Sequence, residues 1–86
     1  MIVVDQEEAR RRLRAFVAEE TYTARDAFDD ATPLFDAGIL DSVSLVSLVA
    51  FCEEHFGCRV PPEEITYDAF RSIASIAEAV TGRWAS

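Results

Sequence analysis

The chain has 86 residues, half of them apolar, and sets 16 acidic side chains against 8 basic ones for a net charge of −8. A chain of this length is expected to form one domain over residues 1–86, burying only roughly 60% of its unfolded surface, which argues against a deep catalytic cleft. So negative a body repels phosphate backbones, which argues against nucleic-acid binding, and it is too apolar for a disordered acidic tail.

Asp5 follows Met1-Ile2-Val3-Val4 at once, too soon for the apolar core of a signal peptide, and no later run is long enough to span a membrane. A cytoplasmic location is therefore expected. Asp5 also reads as an N-cap, with Glu8 completing a variant capping box. Ala9, Leu13, Phe16 and Val17 then recur at helical spacing, so the first helix should run to about Glu20. All the basic residues are arginines, and Arg10, Arg11, Arg12 and Arg14 form one run on that helix's other face, where Glu7 and Glu8 can pair with them.

Residues 21–41 show no sustained period and hold Asp29-Asp30, Thr32-Pro33 and Gly38, so they read as a long loop. Phe28, Leu34, Phe35, Ile39 and Leu40 are its apolar anchors. Between Ala15 and Phe70 only Arg25 and Arg59 offset 12 acids. Such a body suits partners that present basic patches, although any single carboxylate is explained well enough by solubility.

Asp41-Ser42 opens the strongest predicted helix, which closes at Gly57. Leu45, Leu48, Val49, Cys52 and Phe56 should face the core. Val43, Val46 and Ala50 form a second, narrower stripe running away from Ser42. It either widens the buried face or presents an apolar patch to a partner, and the spacing alone does not separate the two.

Val60-Pro61-Pro62 stops any helix, and Pro62-Glu63-Glu64 suits a single turn. Thr66 to Phe70 reads as a short helix carrying Tyr67 and Phe70. Ser72 caps a last helix with Ile73, Ile76, Ala77 and Val80 on one face, closed by Gly82 and leaving Trp84 in the tail. The expected fold is all-α: three main helices, one short helix and a long first loop.

Catalytic and metal chemistry find little support. The only histidine, His55, lies thirteen residues after Ser42 on the same predicted helix. At ~1.5 Å per residue the two are about 20 Å apart, too far for a nucleophile and its base. Cys52 and Cys58 with His55 offer too few ligands for a structural zinc site, and both thiols are expected to be free. Asp29, Asp30, Asp36 and Asp41 lack the spacing of a calcium loop. What remains is a serine at a helix N-terminus, beside Asp41, where unpaired N–H groups and the helix dipole favour an anion such as a phosphate ester. Such a serine is usually only a cap.

The surrounding residues change that weighting. Leu34-Phe35-Asp36-Ala37-Gly38-Ile39-Leu40-Asp41-Ser42-Val43 resembles the phosphopantetheine attachment segment of the acyl carrier protein family. The resemblance continues through Val46, Leu48, Val49, Glu53, Glu54, Phe56 and Gly57, then Val60-Pro61 and Phe70-Arg71-Ser72-Ile73. It implies a four-helix carrier bundle, monomeric and without catalysis of its own. It implies that a phosphopantetheinyl transferase attaches 4′-phosphopantetheine to Ser42 and that Asp41 orients the site. It also implies a partner face of Val43, Val46, Ala50, Glu53 and Glu54. The further partners implied are an acyl- or aminoacyl-adenylating ligase and an acyltransferase or ketosynthase. Ser47 and Ala50 depart from the fatty-acid carriers. Gly38-Ile39-Leu40-Asp41-Ser42 is more similar to stand-alone carriers, either discrete carriers of secondary-metabolite pathways or D-alanyl carriers. The alternative of another class is an acidic helical adaptor with no cofactor, in which Ser42 only caps.

Overall fold

Each helix begins where a short polar side chain can take an unpaired first-turn N–H. The computed structural model describes residues 4–85, so residues 1–3, on which the absence of a signal peptide was read, lie outside the described residues. Asp5 Oδ1 accepts the Glu8 N–H at 2.8 Å and starts α1, Gln6–Glu20. Asp41 starts α2, Ser42–Phe56, and Ser72 starts α3, Ile73–Thr81, by accepting the Ser75 N–H at 3.2 Å. Gly57 ends α2 at φ 62, a left-handed position that glycine adopts without a Cβ penalty. Short 3-10 turns occupy Arg25–Ala27 and Pro62–Glu64. Among the described residues there is no strand.

α1 packs against both α2 and α3. Its inner face is Ala9, Leu13, Val17 and Ala18, all buried, while Phe16 stays half-buried and stacks on Phe51 of α2 with centroids 4.2 Å apart. The Glu8 half of the expected capping box does not form, because the Glu8 carboxylate is drawn into ion pairs with Arg11 and Arg12. The long loop is pinned as its apolar residues suggested: Phe28, Leu34 and Leu40 are buried, and Phe35 and Ile39 lie half-buried against the core. Backbone bonds add to this. Leu34 N–H donates to the Arg71 carbonyl at 2.8 Å and Ala74 N–H to the Asp30 carbonyl at 2.9 Å.

One expectation needs correction. The short helix over Thr66–Phe70 is a turn, closed by one bond from the Phe70 N–H to the Thr66 carbonyl at 3.2 Å. Five residues allow a single such bond, too few to offset the cost of nucleation. The four-helix arrangement is therefore three α-helices and two 3-10 turns in the described residues. Trp84 lies in the tail after α3, as the sequence places it, and is 3% exposed, its ring tilted against Phe70 with centroids 5.2 Å apart.

The end of α1 carries an unusual residue. The Thr23 N–H reaches the Ala18 carbonyl and the Tyr22 N–H the Glu19 carbonyl, a Schellman arrangement whose left-handed residue is Tyr22 at φ 55. Its side chain is 97% exposed, so its packing offsets nothing. Tyr22→Gly is expected to stabilise the fold by about 1 kcal/mol, read as a higher urea midpoint at unchanged slope. An unchanged or lower midpoint would mean that the tyrosine ring contributes a contact absent from this geometry.

Candidate functional site

Ser42 is the first residue of α2 and is exposed. The capping work falls to its neighbours. Asp41 Oδ1 accepts the Ser44 N–H at 2.9 Å, while Ser44 Oγ accepts the Asp41 N–H at 2.9 Å, a reciprocal capping box. Ser44 is buried at 9% exposure, and its hydroxyl is satisfied there by Asp41. Asp41 is a legible N-cap in the sequence, and Asp41-x-x-Ser44 has the spacing of a capping box with serine in the place of the more usual Glu or Gln. Relieved of the cap, Ser42 Oγ has no hydrogen-bond partner among the described residues and points its chemistry outward.

The electrostatics differ from the simplest expectation. The hydrogen bond from the Ser44 N–H, and then that from its hydroxyl, hold the Asp41 carboxyl below its ordinary range, so it is anionic at neutral pH. A phosphate ester on Ser42 would therefore feel the helix dipole but find the Ser44 N–H already taken by Asp41. An exposed hydroxyl with no internal partner fits a group that is carried outward on the surface.

On α2 the fully buried line is Ser44, Leu48, Cys52 and Phe56, one i, i+4 ridge, with Leu45 and Val49 half-buried beside it. Val43 is 76% exposed and Val46 71%, and Ala50 is exposed too, so this stripe does not widen the buried face. Glu54 is exposed. Glu53 has a structural task that the sequence did not reveal, since its Oε2 accepts the Val60 N–H at 3.0 Å and ties residues 57–60 back to α2. His55 is exposed and stacks on Phe51 at 4.4 Å. Ahead of Ser42, the Asp36 carboxylate accepts the Tyr67 hydroxyl, and Phe35 lies against the Tyr67 ring at 5.4 Å. That hydrogen bond, more than burial, raises the Tyr67 pKa.

Cys52 and Cys58 are free and buried, and burial pushes both thiols upward. Such thiols are poor nucleophiles and would not compete for a thioester. Among the described residues no three His, Cys, Asp or Glu side chains come together as a metal site, and no helix is long and apolar enough to cross a membrane.

Comparison with known proteins agrees with this geometry. A family model described as "Phosphopantetheine attachment site" matches residues 11–80. An acyl carrier protein of Renibacterium salmoninarum is 30% identical over 79 residues, 92% of this chain and 91% of that protein. A D-alanyl carrier protein of Streptococcus sanguinis is 44% identical over 48 residues, 56% of this chain, and the match spans only 61% of that protein's length. A nonribosomal peptide synthetase-like enzyme of Aspergillus fumigatus is 34% identical over 71 residues, 80% of this chain but 5% of the enzyme. The chain thus belongs to the phosphopantetheine attachment site family of carrier proteins, whose covalent cofactor is 4′-phosphopantetheine.

Proposed function

We propose that Ser42 is the attachment point and that the protein tethers acyl or aminoacyl groups as a discrete carrier in a secondary-metabolite pathway. The observation that carries this reading is the exposed Ser42 hydroxyl, free of hydrogen bonds among the described residues because Asp41 and Ser44 cap α2. When bound, the arm supplies a terminal thiol that holds cargo as a thioester. The chain's own part is to present Ser42, to hold Asp41 beside it as an anion that orients the transferase's chemistry, and to offer α2 to partner enzymes. It performs no catalysis itself. The likeness to the synthetase-like enzyme supports the pathway assignment. The likeness to D-alanyl carriers favours a second reading, D-alanine as cargo. Partners under the first reading are a phosphopantetheinyl transferase, an adenylating ligase and an acyltransferase or ketosynthase, met as a monomer in a reducing cytoplasm.

Incubation with coenzyme A and a promiscuous phosphopantetheinyl transferase tests the attachment by intact mass, with one phosphopantetheine gained by the wild type. A protein left unmodified by a transferase active on a control carrier would defeat the reading. Loading of the modified protein by a D-alanine-activating ligase, in preference to other amino and aryl acids, would decide for the second cargo.

The exposed stripe gives a further expectation. Val46→Asp should lower the transferase kcat/KM by about tenfold, since a carboxylate placed in an apolar contact loses its water with no partner to replace it. Its stability should change by no more than about 0.5 kcal/mol, as for other surface substitutions. Equal losses in thermal stability and transfer would place Val46 among the core residues.

A further inference from the structure

α1 is neutral as a whole, its four arginines balanced by Glu7, Glu8, Glu19 and Glu20, but one of its faces is basic in an otherwise acidic molecule. Arg10, Arg11 and Arg14 share one helical face, and Arg25 of the first 3-10 turn closes on the same depression of about 310 Å³, whose carboxylates are Glu7 and Asp30. No residue of α2 lines it, so this basic surface is separate from Ser42 and the Val46 stripe.

Its internal pairing is uneven. Arg14 pairs closely with Asp30, both side chains about two-thirds buried, whereas Arg10 lies 3.9 Å from that same Asp30 and Arg11, 68% exposed, pairs with Glu8. The exposed Arg11 pair contributes little. One exposed guanidinium is left over: Arg25 has no ion pair or hydrogen bond among the described residues, whereas the partnerless Arg10 Nε is buried and the Arg10 guanidinium also donates to Gln6 at 3.3 Å.

We propose that this face is a second docking surface, taking an acidic segment of a partner protein whose carboxylates are shared between Arg10, Arg11, Arg14 and Arg25. Guanidinium forks match carboxylates two bonds at a time, and one of the depression's two carboxylates, that of Asp30, is already shared between Arg10 and Arg14. An extended polyanion fits poorly. The chain's net charge is −8, so a membrane or nucleic acid broad enough to reach past the depression meets repulsion, whereas a short segment stays within the ~8 Å over which the arginines act in physiological salt. A basic enzyme on α2 and an acidic segment on α1 can then be engaged together. The proposal does not depend on what Ser42 carries.

The test is a titration of the ¹⁵N-labelled full chain with a short Glu/Asp peptide, with inorganic phosphate and phosphatidylglycerol vesicles as separate probes. Saturable peptide binding is expected, weakened by added salt, with amide shifts confined to residues 7–14 and 25–30. R11Q/R25Q should bind about tenfold more weakly. Arg25→Gln alone breaks no internal pair among the described residues and should move affinity in the same direction, so the test survives a double variant that fails to fold. Binding unaffected by either variant, shifts scattered over the acidic body, or tighter binding of phosphate or vesicles than of peptide would overturn the proposal.

Discussion

Ser42→Ala is expected to fold like the wild type and to accept no phosphopantetheine, a complete loss of modification at almost no cost in stability. The two halves have one physical origin. Removing a helix cap costs about 0.5–2 kcal/mol, but the cap of α2 is Asp41, answered by Ser44. The Ser42 hydroxyl leaves no partner behind when removed, and its position is exposed, so the change should stay within ~0.5 kcal/mol. Ser44→Ala is the contrasting variant. It removes a buried, doubly used hydroxyl and leaves the Asp41 N–H without its partner, at a cost of about 1–2 kcal/mol, while keeping Ser42 available for modification. Thermal unfolding and intact mass on the two variants therefore separate presentation of the arm from capping of the helix. A Ser42→Ala protein that still gains the arm would move the attachment to another hydroxyl. One as destabilised as Ser44→Ala would return Ser42 to a capping role.

What the sequence made legible follows from the range of the interactions involved. Asp5, Asp41 and Ser72 act on N–H groups within their own first turn, so the helix starts could be read from neighbouring residues alone. The apolar anchors of the long loop were legible for a related reason: Phe28, Leu34 and Leu40 have no way to stay covered except against the helices. Contacts between distant segments were not legible. The family resemblance implies a partner-facing Glu53, and only the approach of the Val60 backbone gives it a structural partner. The exposure of Val43 and Val46 likewise depends on how α1 and α3 sit, which spacing alone left open. Ser42 is the reverse case. Its residue type pointed to a cap, and its neighbourhood pointed to a cofactor. The Asp41–Ser44 box supplies the physical reason why the second reading is available.

Trp84→Ala should be the most destabilising single change among those considered, at about 3–5 kcal/mol, the range for deleting a large buried aromatic. The side chain is 3% exposed and its ring lies on Phe70. Its Nε1 donates to Glu64 at 3.2 Å, and the Arg83 guanidinium sits 5.3 Å from the ring centroid. The backbone fixes it further, since the Trp84 N–H donates to Ala79 at 2.9 Å and its carbonyl accepts the Arg59 N–H at 3.1 Å. One residue near the chain end thus joins α3, the second 3-10 turn and the segment after α2. A small domain has only about 5–15 kcal/mol in all, and each kcal/mol moves the midpoint of a 60–100-residue domain by roughly 4–8 °C. A fall in Tm of about 12–40 °C is therefore expected. Trp84→Phe keeps most of the buried area and loses the Glu64 bond, so it should cost far less, about 1 kcal/mol beyond its change in volume. As the only tryptophan, Trp84 reports its own undocking by fluorescence in the wild type. Acid should weaken this anchor. The Arg83 hydrogen bond, then that of Trp84, holds the Glu64 carboxyl below its ordinary value, so its contribution is present above the unfolded carboxylate pKa and is lost as pH falls through the lowered one. Trp84→Ala unfolding at the wild-type midpoint would mean that the tail is not part of the core.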